Sequence, residues 1–142
     1  MTREVIHKDD QGRITARLFF DEQNQLHGVC EFYEQGKLFF KGEYVHGKLH
    51  GPASTYHFNG QIQSTMYHHE GQLHGERVHY SEEGMITQID TYDKGLLHGP
   101  FKSFHSNGAV ASEGTYDHHI KANDWVHYYD NGEEIITEDE SE

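Results

Sequence analysis

The chain has one cysteine, two prolines, few basic residues and no long apolar run. Each shortage excludes something. Cys30 has no second cysteine with which to form an intramolecular disulfide or a cysteine-based zinc cluster. No segment approaches the roughly 18 consecutive apolar residues of a membrane span, and the first ten residues lack the apolar stretch of an export signal. A chain without these signals is expected in the cytoplasm. Only 11 residues are Lys or Arg against 24 Asp and Glu, which leaves a formal net charge of −13. That charge repels phosphate backbones and anionic lipid, so no nucleic acid is expected as a partner and a membrane surface is a poor one. A basic protein is a better one. The 14 histidines make the charge soft, since full protonation would carry it to about +1 near the unperturbed imidazole pKa of roughly 6.5.

What is present points to strands. Apolar residues are only 34% of 142, yet aromatics are 13%, so nine Tyr and eight Phe supply much of what can be buried. Glycine is frequent, with 15 copies, and its spacing is regular. Gly12, Gly36, Gly60, Gly84, Gly108 and Gly132 recur every 24 residues. Four residues before each glycine stand Lys8, Phe32, Tyr56, Tyr80, Phe104 and Tyr128, and two after it stand Ile14, Leu38, Ile62, Ile86, Val110 and Glu134. A second set, Gly47, Gly71 and Gly95, leads into the triplets Leu49-His50-Gly51, Leu73-His74-Gly75 and Leu97-His98-Gly99. Leu26-His27-Gly28 is the same triplet displaced by one residue, and Asn123 replaces the glycine of the last copy, where its tolerance of left-handed backbone is expected to preserve the turn.

Sequences such as Glu82-Glu83-Gly84 and Ser106-Asn107-Gly108 are those of three-residue hairpin loops with glycine in the left-handed position. Such loops bring Phe32 opposite Leu38, Tyr56 opposite Ile62, Tyr80 opposite Ile86 and Phe104 opposite Val110. Aromatic over aliphatic is a favourable cross-strand pair, worth roughly 0.2–1 kcal/mol relative to Ala–Ala. Continued at period two, the same face takes Ile6, Cys30, Val78 and Val126 before the turn and Phe20, Tyr44, Tyr92 and Tyr116 after it. Tyr67 is one place out of column, which predicts a local bulge. The fold class is therefore all-β: a single-domain, elongated, twisted antiparallel meander of about 11–12 short strands over residues 1–136, spanning roughly 50 Å at 4.8 Å per strand. Residues 137–142 form an acidic C-terminal tail that would guard the last sheet edge.

Stretches such as Gly42-Glu43-Tyr44-Val45-His46-Gly47-Lys48-Leu49-His50-Gly51 and Trp125-Val126-His127-Tyr128-Tyr129-Asp130-Asn131-Gly132 resemble MORN repeats, and the 24-residue spacing resembles the bacterial MORN-variant repeat. The resemblance runs from about residue 5 to 136. It implies a repeat sheet, and because bacterial proteins made of such repeats are commonly described as antitoxin or immunity proteins, it implies neutralisation of a toxin. The eukaryotic context of MORN repeats implies phosphoinositide or membrane binding instead, but no cluster of four to eight basic residues is present.

Catalysis has little support. There is no Gly-x-Ser-x-Gly, no phosphate-cradling glycine loop before a helix and no His-Glu-x-x-His. Cys30 falls in an apolar column and reads as a packed small residue rather than a nucleophile. His27, His50, His74 and His98 recur two strands apart, near 9–10 Å, too far for neighbouring copies to share one ion, and are expected to bond to turn backbone. His68-His69 and His118-His119 point to opposite faces as adjacent strand residues. No cofactor and no metal is expected. What remains is a protein-binding surface, assigned to Tyr33, His57, His79, His105, His127 and Tyr129 on the variable face together with Arg77, Phe101 and Trp125 seven residues before their glycines. The expected function is a non-enzymatic binding protein, an antitoxin occluding a basic toxin, with a self-associating scaffold as the alternative. The oligomeric state does not follow from the sequence.

Overall fold

A computed structural model describes residues 1–136, and the acidic tail assigned to 137–142 lies outside them. All regular elements among the described residues are strands: β1 (Arg3–Lys8), β2 (Ile14–Phe20), β3 (Gly28–Glu34), β4 (Lys37–Val45), β5 (Lys48–Tyr56), β6 (Ile62–His69), β7 (Gln72–Leu73), β8 (Gly75–Tyr80), β9 (Ile86–Asp93), β10 (Leu96–Leu97), β11 (Gly99–Phe104), β12 (Val110–Asp117), β13 (Ile120–Lys121) and β14 (Val126–His127). They form one open antiparallel meander in the order β1-β2-β3-β4-β5-β6-β8-β9-β11-β12-β13, with β7 paired to β6, β10 to β9 and β14 to β12. The count of fourteen exceeds the expected 11–12 because β7, β10 and β13 are two-residue segments cut off where the backbone breaks at or near the triplet.

Two kinds of turn alternate. In the three-residue loops, as around Gly84, Ser81 N donates to Met85 O at 2.7 Å and Gly84 N donates to Ser81 O at 2.9 Å. Gly84 sits at φ 89, the left-handed position that closes such a loop. In the two-residue loops both central residues are left-handed, as at His46 (φ 48) and Gly47 (φ 87), the type I′ geometry whose twist matches that of the strands. Gln35-Gly36 also forms a two-residue turn, with Glu34 paired to Lys37, whereas the loop ending in Asn24 (φ 60) has three residues. The loop before β3 is thus one residue longer than its counterparts and the loop after it one shorter.

That exchange displaces β3 by one residue and corrects the first expected pair. Tyr33, not Phe32, lies opposite Leu38, while Phe32 pairs with Phe40. The other three pairs, Tyr56 with Ile62, Tyr80 with Ile86 and Phe104 with Val110, are present. A second correction concerns the tyrosines after the turn. The register shifts by one residue between His79 and Tyr80, so that His79 pairs with Gln88 and Thr87 is left as a bulge. The same shift leaves out Thr15, Phe39, Gln63 and Ala111, so the bulge itself repeats every 24 residues. Each bulge moves the downstream residues to the other face, and Tyr44, Tyr92 and Tyr116 therefore lie on the opposite side from the Tyr80–Ile86 pair. Tyr67 needs no bulge of its own: it pairs with Pro52, and His68, paired with Gly51, fills the place taken elsewhere by a tyrosine. Asn123 does not take up left-handed backbone, and the chain leaves the sheet between Lys121 and Val126.

One sheet without a second layer buries little. Only Ala16, Cys30 and Ala53 are buried apolar residues among those described, and Ile62, Ile86 and Val29 stay about two-fifths exposed. Space is tightest where a bulky side chain crosses a glycine. A Cβ on Gly114 would lie 2.4 Å from the Trp125 ring, whereas nothing comes within 4 Å at Gly84. Gly114→Ala should therefore lower unfolding free energy by about 1–3 kcal/mol through overpacking, and Gly84→Asn by less, as read from urea midpoints.

Candidate functional site

The two faces differ in chemistry. One carries the aromatic–aliphatic pairs with a central row that includes Arg17, Glu31 and Lys41, and later Val78, Ile89, Lys102 and Glu113. The other, here the tyrosine face, carries an unbroken cross-strand row from His7 through Ala16, Phe32, Phe40, Thr55, Ser64, His79, Gln88, Ser103 and Ser112 to His127. Beside it runs a second row whose strand-by-strand counterparts are Cys30, Ala53, Arg77, Phe101 and Trp125, each two residues after the triplet's last position. The bulky members of that row, Arg77, Phe101 and Trp125, lie toward the C-terminal end.

Its middle is ionic. Arg77 pairs across the sheet with Asp90, which is 4% exposed. Asp90 Oδ2 accepts a hydrogen bond from Gln88 Nε2 at 3.1 Å and lies 3.5 Å from His79 Nε2. Asp90 Oδ1, Arg77 Nε, His79 Nε2 and His68 Nδ1 are buried without a hydrogen-bond partner. Buried polar atoms left unpaired cost about 1–3 kcal/mol each, so four within one cluster mark a place where something is unsatisfied. Burial, reinforced by the Arg77 guanidinium, holds the His68 imidazole below its ordinary pKa. Burial first, and then the Asp90 charge, raises the Tyr92 phenol. A groove of about 540 Å³ opens here, lined by Thr55, His57, Ser64, Met66, Arg77 and His79.

Toward the C-terminal end the same face becomes aromatic. Phe101, Tyr116 and Trp125 form a cluster with ring centroids 5.1–5.7 Å apart, laid over Gly114. Trp125 Nε1 donates to Thr115 O at 2.9 Å, and Lys121 Nζ lies 4.5 Å from the indole centroid. His127 Nδ1 and Ser112 Oγ are 2.7 Å apart.

The nine residues singled out in the sequence fall into three places. Arg77, His79, Phe101, Trp125 and His127 share the tyrosine face. His57, His105 and Tyr129 sit at the three-residue turns, where His57 Nε2 donates to Tyr80 O and His105 Nε2 to Tyr128 O, each at 2.8 Å. These two imidazoles tie each turn to the next, 23 residues on, as Asn59 and Asn107 do beside them. Tyr129 is about half exposed. Tyr33 lies on the opposite face, its hydroxyl donating to Glu31 Oε1 at 3.1 Å, because β3 is displaced by one residue. Sequence reasoning missed Asp90, His68 and Gln88. The signal was an acid six residues after Gly84, in a column that otherwise holds Leu18, Gly42, Met66, Gly114 and Glu138, but it faces Arg77 only once the bulge is counted. Three of the four triplet histidines behave as expected: His27, His50 and His98 each accept a backbone N–H from the neighbouring turn through Nδ1 at 3.1–3.3 Å, whereas His74 Nδ1 lies 3.6 Å from Asp93 Oδ1.

The profile of the MORN repeat variant matches residues 26–46, 49–70, 73–94 and 97–118, more than half of the chain. The chain belongs to this family, a non-catalytic type of repeat. Among curated proteins nothing matches the sequence. Similar solved structures include TarM, at 13% identity and a TM-score of 0.29 over 80% of this chain, and a mutant of S. aureus TarM in complex with Fondaparinux, alpha-GlcNAc-glycerol and UDP, at 12% identity and 0.27 over 79%. The chain spans 19% of the length of each. Among the described residues no helix is long and apolar enough to cross a membrane.

The His68 shift has a consequence for stability. Its folded pKa lies below its unfolded one, so between the two the unfolded chain binds the extra proton. Stability is full above the unfolded value of about 6.5 and declines as pH falls through the window beneath it. Urea midpoints measured from pH 7.5 down to pH 5 should fall, and His68→Gln should flatten part of that slope.

Proposed function

We propose that this chain is a protein-binding repeat protein, an antitoxin or immunity protein that neutralises a basic toxin by covering it with the tyrosine face. The single observation that carries the reading is the groove lined by Arg77 and His79, an uncovered part of the sheet beside buried polar atoms without partners. A partner's side chains reaching that groove would satisfy them, and a protein contributes donors and acceptors together. On the same face the rings of Phe101 and Trp125 supply the aromatic area that recognition surfaces favour. Net charge of −13 selects a basic partner and speeds its approach. The MORN-variant family supports a repeat protein that binds; the antitoxin role is our own step beyond it, taken from the resemblance of the sequence to bacterial proteins made of such repeats.

The experiment is co-expression with the product of the neighbouring gene, followed by association kinetics. A complex should form, with an on-rate that drops about tenfold or more between 50 and 500 mM salt. His127→Ala, at an exposed position on this face, should speed dissociation without lowering the unfolding midpoint. Absence of a complex, or an on-rate indifferent to salt, contradicts the reading, and a concentration-dependent dimer by light scattering would favour a self-associating scaffold instead.

A further inference from the structure

The edge formed by the two-residue turns collects imidazoles from neighbouring turns. His27 and His46 lie with ring centroids 5.1 Å apart, and His98 and His118 with theirs 4.5 Å apart. The distance that separates successive triplet histidines does not apply to these pairs, because each joins a triplet histidine to the first residue of the adjoining turn. At the first pair a carboxylate completes the set: Asp21, His27 and His46 each offer a ligand atom, all within 4.8 Å of one another.

We propose that Asp21, His27 and His46 form a binding site for a divalent transition-metal ion of the zinc class. The carboxylate is oriented before any ion arrives. Asp21 Oδ1 accepts hydrogen bonds from Gln23 N and Gln25 N, both at 2.9 Å, which closes the Asn24 loop and leaves Oδ2 toward His46. Its side chain is only 11% exposed, so the oxygen is held by packing as well as by the loop. His46 Nδ1 stands 3.2 Å from Asp21 Oδ2. Two ligand atoms on a tetrahedral ion with bonds of about 2.0–2.1 Å are themselves about 3.3 Å apart, so an ion replaces the proton between them with little movement. His27 Nδ1 now accepts only a long hydrogen bond, 3.3 Å from His46 N, which an ion can displace.

The donor set fixes the class of ion. Two imidazoles and one carboxylate suit zinc, cobalt or nickel, whereas calcium and magnesium require oxygen shells. Three protein ligands leave a fourth position to water or to a donor from a partner. The three ligands line a concavity of about 220 Å³, wide enough for that fourth group. The His98–Asp117–His118 trio repeats the arrangement less tightly: Asp117 is 72% exposed, and its Oδ1 already lies 2.6 Å from His118 Nδ1. Glu70 and Lys94 take the place of His46 in the turns between, which confines the arrangement to the two ends of the repeat array.

The test uses the full chain carrying His98→Gln and His118→Asn, so that the looser trio cannot mask the result. With zinc chloride added to one equivalent, long-range nitrogen spectra of the imidazoles should show His27 and His46 shifted and the remaining histidines in place. Equilibrium dialysis should show His46→Asn, which tolerates the left-handed turn, and Asp21→Asn, which keeps an oxygen to close the loop, each weakening zinc binding at least tenfold while circular dichroism is unchanged. Small shifts spread over all the histidines, or zinc bound as tightly by His46→Asn as by its parent, would overturn the proposal.

Discussion

A single extra residue on the strand after each main turn sets the chemistry of both faces. Without the bulges at Thr15, Phe39, Gln63, Thr87 and Ala111, strict alternation would carry Tyr92 to the face of Tyr80 and leave Arg77 opposite a residue other than Asp90. With them, each strand presents one chemistry before the turn and the complementary chemistry after it. The arrangement repeats because the bulge repeats, and it survives the displaced strand β3, since the lengthened loop before that strand and the shortened one after it cancel. Register here is a local property, renewed in every hairpin.

A sheet built this way has neighbours along the chain and none above or below. Its few fully buried apolar side chains are small, and its larger ones rest half covered against glycines, as Trp125 rests on Gly114 and Leu49 on Gly42. Stability must then accumulate hairpin by hairpin and through ties between successive turns, such as the His57 and His105 bonds to the next turn's carbonyl. The same openness creates the candidate site. A two-layer protein would have covered Arg77, Asp90 and His68 with its own second layer; this one leaves the groove beside them open.

Much of the architecture was legible in the sequence because glycine marks left-handed turns and the 24-residue spacing marks a repeat. Three of four aromatic–aliphatic pairs follow from loop length alone. The bulge was illegible, since Thr15, Phe39, Gln63, Thr87 and Ala111 share no chemistry: the extra residue is selected by geometry, not by side chain. That hidden offset conceals Asp90 as the partner of Arg77, whereas Tyr33 departs from the column of His57 through the one-residue displacement of β3. The metal-ligand set was hidden for another reason. Asp21, His27 and His46 come from two different turns, and only the fold shows that adjacent turns, rather than alternate ones, place their imidazoles in contact.

The measurement that bears most directly on this account is the set of cross-strand backbone NOEs in the β8–β9 hairpin. The structure requires contacts between Tyr80 and Ile86 and then between His79 and Gln88, with Thr87 skipped. Contacts running on without interruption from Tyr80–Ile86 to His79–Thr87 would place Tyr92 and Asp90 on the other face, and the groove at Arg77 would not exist.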